Sequence, residues 1–244
     1  EGKGFYIWKI KDCEGGNATR IASVAKAAGL SHVLIKVADG AYTYNFDWDR
    51  REDLVPPVAN ALRSMGIQVW GWHYVYGDFP SNEASIAVQR VNGLHLDGFV
   101  IDVEHQYKDS GKKSAAKTYM RELRAGIGNH VPVALSSYRF PSLHPIPWNE
   151  FLEKCDLNMP QVYWMGAHNP GSQLSRTLQE FENLTHQRPI IPTGAAFTEH
   201  GWTPTVQDVQ EFLISARSFN LRAANFWEWW NCRVVLKPQH KIWD

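Results

Sequence analysis

The sequence carries no excess charge: 25 Lys and Arg stand against 25 Asp and Glu, for a formal net charge of zero. Such a chain exerts no long-range pull on phosphate backbones or anionic membranes, which argues against nucleic acid as a partner. It also lacks a run of the roughly 20 apolar residues that a spanning helix needs, and no signal-like apolar stretch follows its first residues. No membrane partner is expected. Cysteine is scarce: Cys13, Cys155 and Cys232 are odd in number and contain no Cys-x-x-Cys pair, so they read as buried thiols. The ten His residues form neither His-x-x-x-His nor His-Glu-x-x-His, so no metal site is implied. No Gly-x-Gly-x-x-Gly or Walker-type loop follows a strand, which removes dinucleotide and nucleotide cofactors, and no Gly-x-Ser-x-Gly elbow marks a serine esterase. No cofactor is expected. With no Gly-, Pro- or Ser-rich linker and no internal repeat, residues 1–244 read as a single domain and a monomer.

What is abundant is aromatic: 11 Trp, 9 Tyr and 11 Phe, 13% of the chain. Flat apolar faces with a polar handle suit a sugar-stacking site, although any one Trp can equally belong to the core.

Eight apolar, β-branched runs recur at 5–10, 32–37, 68–74, 98–103, 131–136, 159–163, 190–194 and 223–229. Helix-like stretches separate them at 17–30, 54–65, 82–92, 114–127, 148–155, 171–185 and 205–218. That alternation predicts parallel strands joined by crossover helices, a (β/α)8 TIM barrel, with an open doubly wound sheet as the competitor. Only 231–244 follow the last strand, so the final helix is short or missing. Gly29 suits a helix C-terminus.

In a parallel barrel the chemistry lies at the C-terminal strand ends. The fourth run ends in Asp102-Val103-Glu104. Side chains at i and i+2 share a face, so the two carboxyls point together, with Cα atoms roughly 7 Å apart. Neighbouring carboxylates repel, one pKa rises, and that group can donate a proton near neutral pH, as glycosidic cleavage requires. Glu104, the outer and longer side chain, is assigned as proton donor and Asp102 as its partner; the alternative is an acid pair that binds a Lys or caps the next loop.

Asp97-Gly98-Phe99-Val100-Ile101-Asp102-Val103-Glu104 resembles the Asp-Gly-x-Asp-x-Asp-x-Glu signature of family 18 glycoside hydrolases, the chitinase-like barrels. Val100 stands where that pattern has its middle Asp, a departure that bears on the proton-relay part of its mechanism. Met159-Pro160-Gln161-Val162-Tyr163 is similar to that clan's strand-six motif, and Phe226-Trp227-Glu228-Trp229 to its strand-eight segment. Family 25 lysozymes offer a second likeness, through Asp-x-Glu on strand four and a second strand resembling His32 to Gly40. Both resemblances imply a retaining hydrolase of N-acetylated glycans, chitin-like or peptidoglycan, whose substrate acetamido group is the internal nucleophile. They make Glu104 the acid/base and let Asp102 assist that group; the chitinase-like resemblance adds Tyr163 to orient it and Trp227 as a sugar platform. A different retaining mechanism would place a nucleophile on another strand, Glu199 or Glu228, about 5 Å from Glu104.

Further substrate contacts are expected from Asp39, ahead of the loop bearing Tyr42 and Tyr44, and from Trp72 and Tyr74, which share a face with Trp70. Tyr138, Gln161, Trp227 and Glu228 complete the set, with Trp229 sharing the face of Trp227. His73 is expected to face the helices as a satisfied core histidine. A non-catalytic carbohydrate-binding barrel is the alternative function. The triplets at Asn17 and Asn183 leave the compartment open; a secreted or phage-associated setting fits a cell-wall substrate.

Overall fold

Residues 2–236 and 242–243 are described by the computed structural model. Eight strands run in one sense around a common axis: β1 (Gly2–Ile7), β2 (His32–Asp39), β3 (Gln68–Val75), β4 (Gly98–Val103), β5 (Val133–Ser136), β6 (Leu157–Asn158), β7 (Thr193–Ala195) and β8 (Ala223–Trp227). Regular parallel pairing runs in the order β7-β8-β1-β2-β3-β4-β5-β6. The ring closes between β6 and β7 through single bridges, Asn158 to Ile190 and Gln161 to Thr193. Seven helices lie between the strands: α1 (Ala18–Ala27), α2 (Val55–Ser64), α3 (Pro80–Gly93), α4 (Lys112–Ile127), α5 (Trp148–Leu152), α6 (Pro170–Glu182) and α7 (Val206–Ser218). The expected parallel α/β barrel is what the chain forms.

Local chemistry explains the boundaries. The Asn17 side chain accepts from the Arg20 amide at 2.9 Å and starts α1. Gly29, at φ 66°, turns the chain after it, a conformation that costs glycine little. Thr205 and Asp208 cap the start of α7 reciprocally, an arrangement worth about 1 kcal/mol. The sixth strand departs from the expected 159–163, because its regular ladder covers only Leu157 and Asn158. Pro160 has no amide hydrogen to donate, yet its carbonyl still accepts from Thr193 at 2.9 Å. The last expected segment forms one wide helical turn at Asn231–Val235; 237–241 and 244 lie outside the described residues.

Two apolar layers result. The outer one, between sheet and helices, holds most of the buried side chains, including all three cysteines. The inner one, Tyr6, Leu34, Trp70, Trp72, Val100, Ala134 and Met159, fills the barrel. Large and small residues alternate there: a Cβ at Gly98 would collide with the Trp70 ring. His73 faces outward as expected, bonded to the Tyr119 hydroxyl at 2.9 Å and the Gly40 carbonyl at 2.7 Å, and burial pushes its pKa down to about 4.

Strand β2 contains the one irregularity that shapes the site. Its register with β3 runs Lys36 to Trp72 and then slips, so that Ala38 pairs with His73 and Asp39 with Tyr74. The extra residue is a β-bulge, which re-aims the side chains beyond it. Strict alternation would put Lys36 and Asp39 on opposite faces; the bulge turns both into the barrel. The Val37 carbonyl at the bulge accepts from Arg90 Nε of α3 at 3.0 Å and from the Tyr44 amide at 3.0 Å. Asn45 Nδ2 donates to the Lys36 carbonyl at 2.8 Å.

Candidate active site

Three rungs of the ladder carry the site. The lower one runs Lys36, Trp72, Val100, Ala134, and the upper one Asp39, Tyr74, Asp102, Ser136. Above them Tyr138 bridges to Gln161, and Glu104 follows immediately after β4.

Asp102 and Glu104 converge. Gln161 Nε2 donates to Asp102 Oδ1 at 3.1 Å and to Glu104 Oε1 at 2.7 Å, clamping the pair with one amide. Burial raises the pKa of Asp102 well above the carboxylate range, and the neighbouring Glu104 charge raises it further; Lys36 opposes both. Burial also raises Glu104, against the pull of Gln161 and of the hydrogen bond from Asp102. Two partly buried carboxyls joined by a hydrogen bond hold one proton between them more tightly than isolated acids would. The pair therefore keeps a proton to higher pH than an isolated carboxyl does.

Tyr163 is partly buried beside them. Burial, then the nearby Tyr6, Asp102 and Glu104, keeps its phenol protonated, so its hydroxyl is available as a donor. Tyr6 lies beneath, also held neutral by burial and by Asp102. Tyr74 donates to Gln106 Oε1 at 3.0 Å; burial first, and then the acids, raise its pKa to about 12 against the pull of Gln106. Trp227 sits partly exposed over the barrel, 5.5 Å from the Tyr6 ring and 6.2 Å from that of Trp8. Tyr138 stacks on His144 at 5.5 Å, with Arg139 4.8 Å over its ring.

Three expectations need correction. Trp72 shows only 2% of its surface. Its indole donates to the Ile7 carbonyl at 3.0 Å and its ring meets Trp227 edge-on at 5.3 Å, so it supports the floor rather than facing a ligand. Glu228 is buried, and its carboxylate accepts from the amides of Asn231 at 2.8 Å and Trp230 at 3.2 Å, so it caps the following turn. Trp229 does not share the face of Trp227: it is fully buried in the outer layer, with its indole 3.3 Å from Glu14. Glu199 stands in the loop after β7, half exposed and 3.7 Å from His200; no hydrogen bond links it or Glu228 to the Asp102–Glu104 pair.

Asp39 is at the mouth, but its carboxylate is already engaged, by Lys36 Nζ at 2.5 Å and by the Tyr76 hydroxyl at 2.9 Å. Lys36 and Trp8 are the residues that sequence reasoning missed. Trp8 is 43% exposed beside Trp227; the expected first strand ran through it, which hid its place at a strand end. The exposed rings of Tyr42, Trp48 and Phe79 stand in the loops after β2 and β3, and Trp48 leans on Phe46 at 4.6 Å. Among the described residues no cluster of His, Cys, Asp and Glu could hold a metal ion. Hollows of about 340 and 540 Å³, lined in part by Asn158 and Arg188 and by Arg124 and Glu153, lie at the opposite, N-terminal end of the strands.

No protein-family model matches the sequence, and no curated protein matches it significantly. Solved structures do. A chitinase from Rhizomucor miehei superposes with a TM-score of 0.70 at 10% identity, covering 100% of this chain and 99% of that one. An endo-1,4-beta-D-mannanase from Thermotoga petrophila gives 0.69 at 9%, covering 92% and 87%. The spore cortex-lytic enzyme SleL of Bacillus megaterium gives 0.65 at 9%, covering 99% and 72%. The likeness is one of fold. At such identities a shared barrel fixes the layout of strands and mouth, and function has to be argued from the side chains.

Proposed function

We propose that the chain is a retaining glycoside hydrolase acting on N-acetylated glycans, chitin-like or peptidoglycan. The observation that carries this reading is the partly buried Asp102–Glu104 pair at the barrel mouth, clamped by Gln161 and beside the protonated Tyr163. Glu104 protonates the glycosidic oxygen as the bond from C1 to the leaving sugar breaks. The substrate's own acetamido oxygen attacks C1, so no second carboxylate has to stand across the ring. Asp102 accepts the acetamido N–H and Tyr163 donates to its oxygen, which orients the nucleophile and stabilises the charge that develops on it. Glu104, now ionised, takes a proton from the water that opens the cyclic intermediate, and the anomeric configuration is retained.

Two observations support the substrate class. Trp8 offers an exposed indole face and Trp227 a partly exposed one at the barrel mouth, suited to sugar rings. Neither Glu199 nor Glu228 is hydrogen-bonded to the pair, and Glu228 is committed to backbone amides, which favours the acetamido route over a carboxylate nucleophile. Solved chitinases and a cortex-lytic enzyme share the fold, in keeping with this reading.

The second reading, a carbohydrate-binding barrel without turnover, draws on Val100, an apolar residue at the centre of the strand that carries the acids. Release of reducing ends from chitin oligosaccharides and from peptidoglycan separates the two: hydrolysis by the wild type and none by Glu104→Gln supports the hydrolase, whereas glycan binding without release supports the binding barrel.

A further inference from the structure

Lys36 places a buried ammonium group in the barrel interior, and its surroundings are built for it. Its side chain is 4% exposed. Nζ lies 4.3 Å from the ring centre of Tyr44, 4.9 Å from Trp72, 5.6 Å from Tyr74 and 5.8 Å from Trp8. Such faces attract a cation, yet burying an ammonium group is costly unless it is also paired. Asp39 supplies the pairing at 2.5 Å and can do so only because the bulge turns both residues inward. Apolar packing alone needs neither charge: Met or Leu would fill that rung. The titratable groups facing Lys36 are Asp39 on its own strand, Tyr44 in the adjoining loop, Tyr74 on β3 and Asp102 on β4, with His73 on the far side of β3 also within reach of its field.

We propose that Lys36 is a positioning residue of the proposed reaction: a fixed cation inside the barrel, anchored by Asp39, that sets how readily Asp102 and Glu104 release the proton they share. The inference rests on the hydrolase reading for its catalytic meaning, while the charge relation itself is a property of the resting protein. A positive charge one rung below Asp102 offsets part of the effect of burial on it, so that the proton Asp102 holds in the resting pair can pass to Glu104 and leave Asp102 with the charge that orients a substrate amide. Without it, burial and the Asp39 charge both favour a second proton on the pair, and the residue meant to accept an N–H is left neutral.

The test is Lys36→Met, which keeps volume and loses charge, with Lys36→Arg as the charge-conserving control and Lys36→Met/Asp39→Asn as a variant in which no charge is left unpaired. Carboxyl 13C chemical shifts of Asp102 and Glu104, followed against pH, read the pair without substrate. The expected result is that both titrations move to higher pH in Lys36→Met by roughly one unit, the size of a nearby charge's effect in a partly screened site, with Lys36→Arg near the wild type and the double variant between them. On chitin oligosaccharides the acidic limb of kcat/KM moves upward by the same amount, whereas a packing defect lowers activity at every pH alike. Titrations that coincide in wild type and in a folded Lys36→Met protein overturn the proposal. A wild type that hydrolyses nothing overturns the hydrolase reading instead, and the carboxyl titrations still decide whether Lys36 controls the pair.

Discussion

Replacing Arg90 by Met removes the residue that ties α3 to the bulge in β2. Arg90 is 9% exposed; its guanidinium grips Asp53 with both nitrogens, at 2.5 and 3.1 Å, and its Nε donates to the Val37 carbonyl at 3.0 Å. Removing one partner of a buried ion pair costs about 3–5 kcal/mol, chiefly because the other charge is stranded. Asp53 is 25% exposed and water recovers part of that, which puts the expected loss near the low end, about 2–3 kcal/mol. For 244 residues each kcal/mol corresponds to roughly 2 °C, so thermal unfolding followed by circular dichroism should show Tm lowered by about 4–6 °C. Arg90→Met/Asp53→Asn should recover part of the loss, since no charge is then left alone. Glycan hydrolysis should fall in the single variant at temperatures where it is fully folded, because the bulge that aims Lys36 and Asp39 is loosened. A Tm within 1 °C of the wild type, resolved against that roughly 2 °C per kcal/mol, would refute the reasoning.

Other expectations follow from the same geometry. Asp102→Asn should abolish turnover while stabilising the protein at alkaline pH. The folded pKa of Asp102 is raised by burial and by Glu104, so the folded protein holds that proton more tightly than the unfolded chain does. Its contribution is whole below the ordinary carboxylate range and lost as pH rises towards the raised value; denaturant midpoints of wild type and variant should therefore agree in acid and separate above it, and a variant weaker at both ends sinks this sign. Gln161→Leu removes two hydrogen bonds to the acids, each worth about 1.5–3 kcal/mol when one group is charged, and should lower kcat/KM by roughly 10- to 100-fold; an unchanged rate would mean that the amide does not hold the pair. Trp227→Ala should weaken binding of oligosaccharides more than it changes protein stability, since the ring is partly exposed, whereas Trp72→Ala should cost about 3–5 kcal/mol of stability; calorimetric titration and unfolding of both variants compare them.

The rhythm of apolar runs and helical stretches sufficed for the barrel, because each β/α unit writes its own period into the chain. The acid pair was legible for the same reason: Asp102 and Glu104 stand two apart at the end of a regular strand, and regular strands keep their alternation. What was hidden arose where the backbone breaks that rule. The bulge after Lys36 adds one residue that no periodicity announces, so the inward-facing Lys36–Asp39 pair could not be read from spacing. At the end of β8 alternation also misled, since Glu228 turns back to cap Trp230 and Asn231 and sends Trp229 into the outer layer. Gln161 was assigned to substrate; that its one amide spans both acids depends on Pro160 interrupting β6, a matter of tertiary register rather than of composition.

The central claim is that Glu104 delivers a proton to a glycosidic bond. Release of reducing ends from chitin oligosaccharides and from peptidoglycan, compared between the wild type and a folded Glu104→Gln protein, tests it most directly. The account predicts release by the wild type from at least one of the two glycans and a loss of at least about 100-fold in the variant, the range of general acid catalysis. Equal release by both proteins, or none by the wild type from either glycan, would contradict it.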